Sequence, residues 1–177
     1  MIGRFLGLGI GALALGVLAQ QALAQSPQVK RGLYLVDIAG CNDCHTPGSF
    51  LGKRDVSRRL GGSDVGFSLP GMGVFVGPNL TPDKETGLGS WTNEQIVTAI
   101  RTGKRPDGRM LAPIMPYNDF ANLTKEDALA IVAYLKSLPP ISNKVPGPFG
   151  PSDKPNVFVM TVLPPDVYNS LPPPPGK

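Results

Sequence analysis

The sequence predicts a helical domain: three helices joined by long irregular segments and followed by a proline-rich extension. Three observations carry that reading. Apolar residues recur at helical spacing in three windows, each opened by a capping residue and closed by glycine or proline. Between the first and second windows no period is sustained, and Gly 22 and Pro 20 in 177 residues are more than an ordinary globular composition holds. The chain's 2 cysteines and 1 histidine all fall in one pentapeptide just after the first window.

Residues 1–24 read as a secretory leader. Arg4 gives a positive start, residues 6–19 are an unbroken apolar and glycine-rich run, and Ala22-Leu23-Ala24 is a small-x-small cleavage pattern. The run is shorter than the roughly 20 residues a spanning helix needs. Cleavage would leave Gln25 as the new N-terminus; an uncleaved anchor is the alternative. Ser26 and Pro27 then open the first helix as N-cap and first helical residue. Val29, Leu33, Val36 and Leu35 or Ile38 form its apolar stripe, Tyr34 reads as a partly exposed aromatic, and Gly40 ends it.

Residues 46–90 read as loop. A loop this long in a compact domain is usually functional, and irregular backbone suits wrapping a flat cofactor. Lys53, Arg54, Arg58 and Arg59 read as solvated charges. Asp83 to Gly87 resembles part of a calcium loop but lacks the closing bidentate glutamate. Two Asn-Leu-Thr sequons, at Asn79 and Asn122, carry no expected role.

The second helix runs over 92–102. Thr92 and Gln95 form a capping box, Ile96, Val97 and Ile100 its apolar face, and Gly103 its C-terminal stop. A basic cluster of Arg101, Lys104, Arg105 and Arg109 follows. Thr124 caps the third helix, which carries Leu129, Ile131, Val132, Leu135 and Leu138 and stops at Pro139-Pro140. Residues 25–140 form the domain. Residues 141–177 are the proline-dense extension, read either as disordered or as an arm that packs on a partner.

The chemistry lies in Cys41-Asn42-Asp43-Cys44-His45. Cys-x-x-Cys-His is the attachment signature of a c-type haem. Two thiols three positions apart can each add to one haem vinyl group, and the adjacent imidazole can reach the iron. A structural zinc site wants four Cys/His ligands, and the chain holds three such residues in all. A redox cysteine pair usually accompanies a βαβ pattern, which the flanks lack. A single histidine excludes bis-histidine ligation within this polypeptide. Met72, Met110, Met115 and Met160 are the candidate thioethers for the other face. Met115 is preferred because Pro113 and Pro116 stiffen its loop, and Met110 is its rival. A thioether opposite imidazole raises the reduction potential and closes the iron to substrates.

The formal charge of +4, one lower without Arg4, is too mild to suggest nucleic acid. It permits steering toward an acidic partner.

Residues 26–140 resemble the class I c-type cytochrome domain, especially the cytochrome c subunits of bacterial alcohol, gluconate and molybdenum-hydroxylase dehydrogenases. The motifs that carry the resemblance are Cys41 to Thr46, Asn79 to Asp83, Thr86 to Trp91, Pro106-Asp107-Gly108-Arg109, Met115-Pro116-Tyr117, and Ala133 to Pro139. The resemblance implies an all-α cytochrome c fold of three to four helices with haem-wrapping loops. It implies one covalent haem c held by Cys41 and Cys44, with His45 and Met115 as axial ligands. It places Trp91 near the haem propionates, a proline carbonyl (Pro70) on the second nitrogen of His45, and a helix crossing at Gly32 and Tyr134. It also implies export to the periplasm, with membrane association through a partner or an uncleaved N-terminus.

Three functional readings follow: a carrier passing electrons from a dehydrogenase toward the respiratory chain, a stable subunit of such a dehydrogenase, or an open-iron haem enzyme or sensor. Such subunits often carry three of these domains. With one, a chain must exchange electrons by surface contact on both sides.

Overall fold

The computed structural model describes residues 26–173. The expected leader, residues 1–24, lies outside the described residues. Among those residues there are six helices and one three-stranded sheet.

Helix α1 (Pro27–Ile38) forms as its sequence directs. Ser26 Oγ accepts from Val29 N at 3.2 Å, and Pro27 occupies the first turn. Its buried face is Val29, Gly32, Leu35 and Val36, whereas Leu33 and Ile38 are exposed. Gly40, at φ +67°, turns the chain sharply into the one-turn helix α2 (Cys41–His45). Helix α3 (Asn93–Thr102) carries the complete Thr92/Gln95 capping box and ends on left-handed Gly103. The short helix α4 (Tyr117–Phe120) leads into α5 (Lys125–Ser137), capped by Thr124.

Helices α1 and α5 make the main packing of the molecule. A Cβ on Gly32 would lie 1.9 Å from Ala130 O and 2.8 Å from Tyr134 Cβ, so only glycine permits this crossing. Val36, Val132 and Ile96 are at most 1% exposed there. Each such side chain contributes about 1.5–3 kcal/mol by leaving water. Arg31 adds a bidentate pair to Asp127 across the crossing, at 2.8 and 3.1 Å.

The fold is not all-α. Strands β1 (Val65–Leu69) and β2 (Gly73–Val76) form an antiparallel hairpin, with Pro70, Gly71 and Met72 as its turn. Val65, Phe67 and Leu69 alternate with Gly66 and Ser68 at strand period, and Val74, Phe75 and Val76 are β-formers, a short signal that the surrounding glycines and prolines obscure. The third strand, β3 (Phe158–Met160), comes from the extension and pairs parallel with β1.

Residues 141–160 pack on the domain itself, an arrangement neither expectation for the extension contained. Asn143 donates to Gly61 O at 2.7 Å and Thr86 Oγ1 at 3.0 Å. Phe149 exchanges both backbone hydrogen bonds with Val74 at 2.9 Å, on the edge of β2 away from β1. The extension thus clasps the hairpin along both edges. Helix α6 (Pro165–Asn169) follows and is exposed. Among the described residues, no helix is long and apolar enough to cross a membrane.

Candidate functional site

Helix α2 presents the pentapeptide as a single turn. Residues three apart on a helix share a face, so the Cys41 and Cys44 thiols project together. Both are half-buried and not bonded to each other. Burial pushes the Cys41 thiol up to about 11. Burial and then the neighbouring Asp43 carboxylate push Cys44 upward too. At neutral pH both therefore hold S–H, not thiolate.

His45 is 6% exposed, and its Nδ1 lies 2.7 Å from Pro78 O. A carbonyl can only accept, so Nδ1 carries the proton and donates. The lone pair is therefore on Nε2, the form that binds a metal. Burial lowers the His45 pKa, with the Pro78 bond opposing, so the ring is neutral at pH 7.

The partner is Pro78, not Pro70. Pro70 sits at the exposed hairpin turn, while β2 carries the chain back to the pentapeptide and delivers Gly77-Pro78. The approach is close. A Cβ on Gly77 would lie 1.7 Å from Cys44 O and 3.3 Å from His45 Nδ1.

Of the four basic residues read as solvated, three are paired. Arg54 meets Asp43, Arg58 meets Asp55, and Arg59 meets Asp37. Asn79 and Thr81, with no role expected from sequence, are 2% and 0% exposed. Asn79 donates to Ile141 O at 2.7 Å and accepts from Thr81 N at 2.9 Å, stitching the extension to the loop. Asp83 spends an oxygen on Thr86 N and Thr86 Oγ1, both at 2.7 Å. It caps its own loop, and among the described residues no cluster of three or more His, Cys, Asp or Glu could hold a metal ion.

Met115 is half-buried in the loop between α3 and α4. The loop is anchored at both ends. Leu111 N donates to Gly103 O at 2.7 Å, and Tyr117 packs so closely on Gly103 that a Cβ there would meet its ring at 2.8 Å. Met110 lies in a short bridge with Lys104 and is 57% exposed. Trp91 is half-buried against the core. Arg105 stacks 5.1 Å over its ring, and Lys136 Nζ donates to its carbonyl at 2.9 Å. Arg105 and Arg109 also share Asp107, which mutes the basic cluster.

This donor set fits a covalently held haem. It offers two protonated thiols on one turn, a buried neutral imidazole with Nε2 available, and a thioether on an anchored loop.

Comparison with known proteins agrees with that fit. Residues 29–139 match the Cytochrome c family model. The fructose dehydrogenase cytochrome subunit of Gluconobacter japonicus is 41% identical over 64% of this chain and 22% of its own length. The cytochrome c subunit of the quinone alcohol dehydrogenase of Gluconobacter oxydans is 33% identical over 81% of this chain and 29% of its own. The gluconate 2-dehydrogenase cytochrome c subunit of Pantoea cypripedii is 33% identical over 76% and 28%. The chain thus spans less than a third of the length of these relatives.

Proposed function

The chain belongs to the cytochrome c family, and on that premise we propose that it holds one haem c and shuttles single electrons in the periplasm. Cytochrome c subunits of dehydrogenases, the relatives this chain matches, act as electron carriers and not as the catalytic subunits. The donor in this reading is a dehydrogenase, and the acceptor lies toward the respiratory chain. When bound, the haem supplies a one-electron iron couple whose potential a thioether opposite imidazole raises.

The residues divide the work. Cys41 and Cys44 would hold the haem through thioethers, each thiol adding S and H across one vinyl group. His45 would offer Nε2 to the iron, its ring oriented by Pro78. Met115 would offer its thioether to the same iron and so keep substrates from it. Trp91, under the Arg105 guanidinium, would help seat the propionates. Lys104 and Arg105 meet an acidic partner in a small contact, below about 1,200 Å² as transient redox contacts are. The observation that carries this reading is the buried His45 with Nδ1 committed to Pro78.

A second reading, a stable subunit of a dehydrogenase complex, is favoured by the relatives, which are named as cytochrome subunits of dehydrogenases.

The test is spectroscopic. The purified chain should weigh its amino acids plus one haem. Its oxidised form should show the far-red charge-transfer band of a methionine–iron bond, lost in Met115→Ala and kept in Met110→Ala. Ready carbon monoxide binding by the unaltered protein would instead establish an open iron and overturn the carrier role.

A further inference from the structure

Between the two cysteines stands Asn42, 4% exposed, with its side-chain nitrogen and oxygen each hydrogen-bonded. Its Nδ2 donates to Asp37 Oδ1 at 2.9 Å, and its Oδ1 accepts from Thr46 Oγ1 at 3.3 Å. Thr46 Oγ1 in turn accepts from Leu60 N at 2.9 Å. Arg59, the residue before Leu60, closes the circuit by donating from Nη2 to Asp37 Oδ1. Its Nε donates to Tyr134 OH at 2.9 Å, fastening the ring to α5.

Leu60 adds a second observation. It is 0% exposed and the sole non-glycine with positive φ, +59°, among the described residues. A bulky residue keeps that strained conformation only where its surroundings enforce it. Here they do: Leu60 N is held by Thr46, and Gly62 N reaches His45 O at 2.9 Å.

We infer that Arg59 and Asp37 are a positioning pair for the haem attachment turn, and that the balance of their charges tunes the reduction potential of the haem held there. The inference rests on the reading of residues 41–45 as a haem site. Asp37 is one hydrogen bond from the residue between the cysteines. Alone, its carboxylate would favour the oxidised iron; the Arg59 guanidinium cancels it. Removing either partner leaves the other's charge uncompensated, with opposite consequences. The pair is partly exposed, 34% and 49% by side chain, so salt weakens the effect.

The experiment is an equilibrium redox titration of the full haem-loaded chain. Arg59→Gln should lower the reduction equilibrium constant about fivefold, ~40 mV at 59 mV per tenfold. Asp37→Asn, which keeps the carboxylate's shape, should raise it by a similar factor. The double variant should return to within about twofold of the unaltered protein, and Arg59→Lys should stay there. Molar salt should shrink both single shifts. Single variants unchanged in potential, or shifted in the same direction, would overturn the inference even if their thermal stability fell. An unaltered chain that carries no covalent haem would overturn the reading of the site instead.

Discussion

Replacing Gly32 by alanine should destabilise the protein, against the usual effect of that change. In an exposed helix interior, alanine is favoured over glycine by about 1 kcal/mol. At Gly32 the added methyl would sit 1.9 Å from Ala130 O and 2.6 Å from its carbonyl carbon. Both are backbone atoms of α5, so no rotamer change can relieve the clash, and the helices must part by more than an ångström. Separation loosens Val36 and Val132, now 0% and 1% exposed, and stretches the Arg31–Asp127 pair. Overpacking of this kind costs up to about 3 kcal/mol. Set against the propensity gain, the net loss is about 2 kcal/mol. For a domain of this size that lowers Tm by about 4–8 °C. Urea and thermal unfolding followed by far-UV circular dichroism will measure it. A variant as stable as the parent, or more so, would refute the close crossing.

Two further predictions concern the extension and pH. Truncation after Pro140 removes the bond from Asn79 to Ile141 and those from Asn143 to Gly61 and Thr86, each worth about 1 kcal/mol, together with the Phe149–Val74 pair and β3. The remaining domain should unfold at least about 3 kcal/mol more easily in urea; equal stability would show that the clasp adds nothing. A lost partner after truncation therefore has to be judged against that weakened domain. As for pH, in the chain without haem, where no iron occupies His45 Nε2, burial depresses the His45 pKa, so the unfolded chain binds its proton more readily. Stability should be full above about pH 6.5 and fall as pH drops from there toward 5, by up to about 1.4 kcal/mol per unit. His45 is the chain's 1 histidine, so urea midpoints between pH 5 and 7 isolate it. A flat profile there would contradict its buried neutral state.

The loop segments hold the Cys41–His45 turn without long secondary structure. Segment 59–62 grips it through Leu60 and Gly62. The hairpin brings Pro78 to His45. Residues 141–143 then bind the loop that follows. Each irregular stretch satisfies its polar groups through buried Asn42, Thr46, Asn79 or Thr81 instead of through ladders. All four lie in motifs that carry the family resemblance, but no sequence pattern tells which backbone group each one satisfies.

Read alone, the sequence determined the pentapeptide, its cofactor class and the three long helices with their caps. All of these are written within a few consecutive residues, where spacing and side-chain type decide the outcome. It did not determine which carbonyl meets His45, because Pro78 lies 33 positions away and reaches it only through the path of the hairpin. Nor did it reveal the Arg59–Asp37 pair, 22 positions apart, or the parallel strand that the extension adds to β1. Such partners are chosen by how the chain returns through space. Only the packed tertiary structure settles that, since many residues could have offered the same oxygen or charge.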